Sequence, residues 1–127
     1  MPPPTLIDLS SVDLSRVIMD RHEIERYLPH RYEFAMLDGV LYVNPEKGQM
    51  IGFKDIREDD WWVRGHIPGR PLLPGVLMLE AAAQLAALYN RVVLKDERFL
   101  AFGGVDKAKF RDTVVPPARL LLLGQNI

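Results

Sequence analysis

The residues best suited to proton chemistry are His66 and Glu80, at either end of a run crowded with glycine and proline. Residues 65–84 read Gly-His-Ile-Pro-Gly-Arg-Pro-Leu-Leu-Pro-Gly-Val-Leu-Met-Leu-Glu-Ala-Ala-Ala-Gln. An imidazole, with a reference pKa of about 6.5, can take or give a proton near neutrality. Pro68, Pro71 and Pro74 each restrict φ, while Gly65, Gly69 and Gly75 permit conformations other residues avoid. Such a loop can hold His66 in one orientation at low entropic cost; a capping or surface histidine fits the same position. Pro74-Gly75 opens a helical pattern, and proline suits a first turn because its missing N–H has no helical partner there. The backbone N–H of Gly75, at the positive end of the helix dipole and free of a side chain, could polarise a carbonyl as negative charge develops on it. Taken alone, an ordinary helix start is the simpler account.

Glu80 lies past the first helical turn, where the dipole explains it poorly. An ionised carboxylate is costly to bury unless it is paired or protonated, so burial would favour the protonated, proton-donating form of Glu80. Gln84, one turn on, shares its face and could hydrogen-bond to it. The alternative is a solvated glutamate on a thin exposed stripe.

Several elements must position these groups. Residues 1–10 read as a flexible leader, three consecutive prolines favouring extended structure, and 11–127 as one domain. A short helix is expected over Ser11–Met19. A second follows Asp20, with Glu23 three residues on as in a capping box; Ile24, Tyr27 and Leu28 form its apolar face and Pro29 ends it. Phe34–Val43 reads as a strand with a bulge or bend at Asp38-Gly39, Asn44–Gly48 as a turn and Gln49–Ile56 as the hairpin's second strand. Asp59–Val63 reads as a short extended piece. A long helix is expected from Pro74 to Val93, apolar on nearly every face and therefore covered on most sides. Further strands are expected at Phe99–Gly103, Val105–Phe110 and Arg119–Leu123. One long helix beside several antiparallel strands makes an α+β domain.

Composition removes other functions. The 127 residues suit a single domain. Sixteen basic residues face seventeen acidic ones, a net charge of −1, so no global basic excess points to nucleic acid. The chain has no cysteine, which excludes disulfides, thiol nucleophiles and thiolate zinc sites and fits a cytoplasmic protein. The N-terminus, Met-Pro-Pro-Pro-Thr, does not read as a secretory signal. The longest apolar stretch, Val76–Tyr89, is interrupted by Glu80 and Gln84 and falls short of a membrane span. His22 and His30 lack companion ligands at metal spacing and read as structural or exposed.

Three ordered blocks resemble the 3-hydroxyacyl-(acyl-carrier-protein) dehydratases of fatty-acid synthesis, particularly the broad-specificity type with glutamate at the position of Glu80. They are Gly65–Gln84; Leu28-Pro-His-Arg-Tyr32 with Phe34 and Leu37-Asp38; and Phe102-Gly-Gly-Val-Asp-Lys-Ala-Lys-Phe-Arg111 with Val114-Val-Pro116. The resemblance implies a hot-dog fold, a curved antiparallel sheet around one long helix. It implies a homodimer, or three dimers in a hexamer, with His66 of one subunit and Glu80 of its partner in each site. His66 is then the general base, Glu80 the acid, the Gly75 N–H the thioester-carbonyl donor and Gln84 a supporting residue. The substrate is carried on the phosphopantetheine of acyl carrier protein, and no metal or redox cofactor is required. A cis peptide at His66-Ile67 is also implied. Phe34 and Phe110 are candidates to line an acyl tunnel, or plain core. Lys107, Lys109 and Arg111 alternate along an expected strand and so share a face that could steer an acidic carrier protein, or are ordinary solvated charges.

The sequence departs from the family at Glu33, where proline is usual, at Gly39, where a basic residue is usual nearby, at Ile67, where phenylalanine is usual, and at Pro117-Ala118, which replace a Gly-Asp turn. It stops at Leu-Leu-Leu-Leu-Gly-Gln-Asn-Ile, where family members continue with one or two more strands, so a C-terminally truncated form is expected, or a dimer that compensates. An acyl thioesterase of the same fold and a non-catalytic acyl-thioester or carrier-binding module are the rival readings.

Overall fold

The computed structural model describes residues 5–99 and 101–127. Four antiparallel strands lie in the order β1 (Met19–Asp20), β2 (Gly39–Asn44), β3 (Gln49–Ile56) and β4 (Ala118–Gln125). Three helices join them: α1 (Arg21–Glu25), α2 (Val63–His66) and α3 (Gly75–Val92). The β2–β3 hairpin turns where Asn44 Oδ1 accepts from the Lys47 N–H at 3.2 Å. Gly48 closes the turn at φ +67°, a left-handed conformation that glycine adopts without penalty. β3 and β4 pair along their whole length, from Gln49 opposite Gln125 to Ile56 opposite Ala118.

The period-two pattern of the strands divides two cores between the sheet's faces. Val40, Met50 and Leu122 join Ala81, Leu85, Leu88 and Tyr89 of α3 in the larger cluster. The alternate residues Leu41, Ile51 and Phe53 pack with Ile7 on the opposite face. Ile7 is 3% exposed. Residues 7–14, part of which was expected to be a flexible leader, therefore lie on the sheet, because Leu41, Ile51 and Phe53 offer an apolar surface that needs covering. A third cluster of Ile56, Trp62 and Leu73, with Leu77 and Val114 against it, ties α2 and the following loop to the sheet.

Leu- and Ala-rich composition favours α3. Lys95, at φ +58°, ends it, with Asp96 N–H returning to Asn90 O at 3.0 Å. Its buried residues, Ala81, Gln84, Leu85, Leu88 and Tyr89, fall on one stripe. The helix is thus covered by this chain on one side rather than on most sides, and Val76 is exposed. A groove of about 420 Å³ runs between α3 and β4, past Met50, Met78, Ala82 and Leu122. No helix among the described residues is long and apolar enough to cross a membrane.

α1 forms as expected, with Asp20 Oδ1 accepting from the Glu23 N–H at 2.9 Å. The helix expected over Ser11–Met19 does not form. Asp8 and Asp13 instead accept from the backbone N–H groups of Ser10 and Ser15, local bonds that compete with helical ones. The strand expected from Phe34 begins only at Gly39, after a 3-10 turn at Tyr32–Phe34. The Phe34 carbonyl and Met36 N–H are engaged by the Gln84 side chain, not by a neighbouring strand. The bulge falls between Val40 and Tyr42, not at Asp38-Gly39. Asp59–Val63 is a turn into α2, closed by Val63 N–H on Asp60 O at 3.1 Å. Neither expected strand between residues 99 and 110 forms among the described residues; Leu100 lies outside them. Lys107 sits at φ +56°, which breaks any extended run. The cis peptide is Pro116–Pro117, not His66–Ile67.

Candidate active site

His66 ends α2, next to the buried anchor Trp62, whose carbonyl accepts its backbone N–H at 2.9 Å. Its ring Nδ1 lies 2.9 Å from the Leu72 carbonyl oxygen. A carbonyl only accepts, so Nδ1 carries a hydrogen; in the neutral ring Nε2 is then the bare lone pair. The loop that supplies Leu72 is itself held. Arg70 N–H bonds Ile67 O at 2.9 Å, Leu72 N–H bonds Arg70 O at 2.8 Å, and Leu73 N–H crosses to Val114 O at 2.9 Å. Buried Leu73 locks the loop into the third core cluster. The residue is exposed, so the imidazole held by Leu72 is open to the outside of its own chain.

Pro74, the N-cap of α3, offers no side-chain cap; its carbonyl accepts from the Leu77 N–H at 3.0 Å. Gly75 has a further reason to lack a side chain. A Cβ there would lie 3.0 Å from two ring carbons of Phe110, closer than ordinary van der Waals contact. Phe110, a candidate tunnel residue, is half-exposed and lies over the helix start.

Glu80 and Gln84 are coupled as expected, Gln84 Nε2 donating to Glu80 Oε2 at 2.8 Å. Gln84 is 2% exposed and uses its whole amide: the second Nε2 hydrogen goes to Phe34 O at 2.7 Å, and Oε1 accepts from Met36 N–H at 2.9 Å. Because a backbone N–H can only donate, the amide has one possible orientation. The Glu80 side chain is 35% exposed, with its other neighbour His30 Nε2 at 3.9 Å from Oε2. Sequence reasoning set His30 aside; its place in the Leu28–Tyr32 block was the available signal. It also passed over Trp61, half-exposed, whose ring centroid lies 6.4 Å from that of Phe34.

Within one chain His66 and Glu80 keep separate company, His66 with Leu72 and Glu80 with Gln84 and His30. Lys107, Lys109 and Arg111 are exposed and belong to no strand, so the shared strand face inferred from their alternation is absent. Among the described residues no cluster of three His, Asp or Glu side chains could hold a metal ion.

Residues 28–127 match the model of the FabA-like domain. The chain is similar to proteins named 3-hydroxyacyl-(acyl-carrier-protein) dehydratase FabZ. That of Clostridium botulinum is 39% identical over 108 residues, 82% of this chain and 72% of that protein. That of Desulfotalea psychrophila is 41% identical over 97 residues, 74% of this chain and 64% of that protein. That of Moorella thermoacetica is 41% identical over 99 residues, 77% and 68% respectively.

Proposed function

From the premise that this chain belongs to the FabA-like domain family, with its hot-dog fold, we propose that it dehydrates (3R)-3-hydroxyacyl chains on acyl carrier protein to trans-2-enoyl thioesters in fatty-acid synthesis. The observation that carries the reading is His66. Its Nδ1–H is committed to Leu72 O, leaving Nε2 as the base.

The thioester oxygen accepts from the Gly75 N–H, which acidifies the adjacent α-hydrogen as enolate charge develops. His66 Nε2 takes that hydrogen. The C–H electron pair becomes the new double bond and the β-carbon–oxygen bond breaks. Glu80, directly or through a water, protonates the departing hydroxyl. The Glu80 carboxylate and the His66 imidazolium that result exchange a proton through solvent to reset the site. Nothing is oxidised or reduced, so acid, base and one carbonyl donor suffice without metal or redox cofactor. Gln84 supports the acid by pinning Oε2.

Because the base and the acid do not meet within one chain, the reading takes the site to be shared. His66 of one copy meets Glu80 of a second across a two-fold axis, in a homodimer or in three dimers. The chain acts as one catalytic domain that includes the packed residues from Ile7 onward, with Phe34 and Phe110 as candidate tunnel walls and a cytoplasmic place of work. Lys107, Lys109 and Arg111, being exposed cations, remain a candidate contact for an acidic carrier.

The test runs the reaction in reverse. Addition of water to a short trans-2-enoyl thioester, read as loss of enoyl absorbance, should be fast for the wild type and nearly abolished in His66→Ala and Glu80→Gln. Equal rates in all three would remove the site. Release of free thiol from the saturated acyl thioester would make the protein a thioesterase, and tight carrier binding without turnover would make it a binding module.

A further inference from the structure

We infer that His30 is a positioning residue for Glu80: a neutral imidazole whose Nε2–H faces the carboxyl and steadies it as it gives up its proton. The inference rests on the dehydratase reading for the role of Glu80, and on geometry that does not depend on that reading.

The Gln84 amide has a single orientation, set by Met36 N–H on its Oε1. Its Nε2 is therefore a donor to Glu80 Oε2, which must accept. The acidic hydrogen of Glu80 accordingly belongs on Oε1, the oxygen not engaged by Gln84. His30 Nε2 approaches the same accepting oxygen, Oε2, at 3.9 Å, beyond a direct hydrogen bond. Resting contacts in acid–base sites commonly tighten in the reacting complex. A donor on Oε2 interacts more strongly with the carboxylate than with the neutral acid, so it favours the state formed as the proton leaves.

The other ring nitrogen decides which hydrogen His30 carries. Its Nδ1 is buried and, among the described residues, has no hydrogen-bond partner. An unpaired buried N–H is rarer and costlier than an under-used acceptor, so the hydrogen belongs on Nε2, toward Glu80. An imidazolium would need partners for both nitrogens. Nδ1 belongs to a residue bordering a cavity of about 10 Å³, also lined by Arg21, Glu25 and Gln84, with room for one water.

The charged groups around the ring come from three places. Arg21 and Glu25 of α1 line the cavity, and Glu80 faces Nε2 from α3. Arg31 follows His30 in the chain and lies 3.9 Å from Glu25 Oε2. Arg21 is itself 3.7 Å from Asp38 Oδ1. Arg31 also fixes the backbone, donating to Leu28 O at 2.8 Å, His30 O at 2.9 Å and Glu25 O at 3.0 Å.

Two measurements on the full chain test this. In protein with ¹⁵N-labelled histidine, long-range ¹H–¹⁵N correlations at pH 7 should show His30 neutral with its hydrogen on Nε2. An Nδ1–H tautomer or an imidazolium would overturn the inference. In the hydration assay, His30→Phe keeps the ring's shape without a donor, whereas His30→Gln places an amide N–H near the site of Nε2. His30→Phe should lower kcat roughly tenfold to a hundredfold with KM unchanged. The alkaline limb of its pH–rate profile should move to higher pH, and His30→Gln should recover most of the loss. Wild-type kcat and pH profile in His30→Phe, or a folded His30→Gln as impaired as His30→Phe, would overturn it. An inactive wild type would instead remove the dehydratase reading, while the tautomer still judges where the hydrogen sits.

Discussion

Residues 63–92 and residues 101–113 both carry blocks of the family resemblance, yet they are ordered very differently. In the first, every candidate group is held by its own chain: His66 by Leu72, and Glu80 by Gln84, which is itself held by Phe34 and Met36. In the second, residues 101–113 are exposed throughout, and no strand forms despite an alternating pattern. The difference is one of partners. A helix satisfies its backbone internally and needs only one apolar stripe covered. A strand satisfies nothing until a neighbour lies beside it, and 101–113 has none among the described residues. Each candidate group is accordingly fixed within its own chain, while residues 101–113 reach the start of α3 through the Phe110 ring beside Gly75.

If the ordered region carries the chemistry, changes there should dominate. His66→Ala and Glu80→Gln should each lower kcat about 10²–10⁴-fold, the usual contribution of a positioned acid or base. Neither should unfold the protein, since both side chains are partly or largely exposed. Mixing the two inactive variants should restore part of the activity if subunits exchange, because one intact site can form from the unmutated His66 of one copy and Glu80 of the other. Strict inactivity of an exchanged mixture would put both groups in one chain.

Gln84→Leu should come next, and it acts on stability as well as rate. It strands the Met36 N–H, the Phe34 carbonyl and Glu80 Oε2 together. A buried group left unpaired costs about 1–3 kcal/mol, so the urea midpoint should fall measurably while His66→Ala leaves it in place. A Gln84→Leu variant of full stability would mean that water replaces the amide and that the ordered region is looser than its hydrogen bonds suggest.

Much of this arrangement was legible in residue types. Asp20 with Glu23 announced the α1 cap, and the β3 limits and the start of α3 followed from alternation and from Pro74-Gly75. The coupling of Glu80 to Gln84 followed from helical spacing alone. What escaped were contacts made at long range. Nothing local in Phe34-Ala-Met36 says that a glutamine 48 residues beyond Met36 will claim its backbone N–H and delay the strand to Gly39. Ile7 looked like leader because its burial depends on Leu41, Ile51 and Phe53. His30 was set aside for want of metal partners, when its neighbour is a single carboxyl four elements away. The misread strand at Val105–Phe110 was the converse case: its residues alternate, but Lys107 turns left-handed and no strand lies beside it among the described residues.

The approach of Phe110 to the helix start gives a sharper probe. Gly75→Ala would press a methyl group toward the Phe110 ring. If residues 101–113 are as yielding as their exposure suggests, the ring moves aside and stability changes by no more than about 0.5 kcal/mol. Activity should fall, because the same methyl crowds the thioester beside the Gly75 N–H, and Phe110→Ala should not rescue it. Rescue by Phe110→Ala would show instead that the ring, not the substrate, meets the methyl, and that the outer segment is as firmly placed as the helix.

The smallest effect should come from Lys107, Lys109 and Arg111. Their charges lie on exposed backbone with no common strand face, and Lys107 turns through a left-handed conformation. Exposed charges at the edge of a contact act chiefly on the rate of encounter and are screened by salt. Replacing all three with glutamate should therefore raise KM for an acyl-carrier-protein substrate several-fold at low ionic strength, and progressively less as salt is added. KM for the same acyl group on a small pantetheine thioester should not move, since that substrate brings no acidic surface. An equal rise for both substrates would show that the triple change deforms Phe110 and the helix start, which would make the outer segment part of the site's framework and erase the contrast between the two regions.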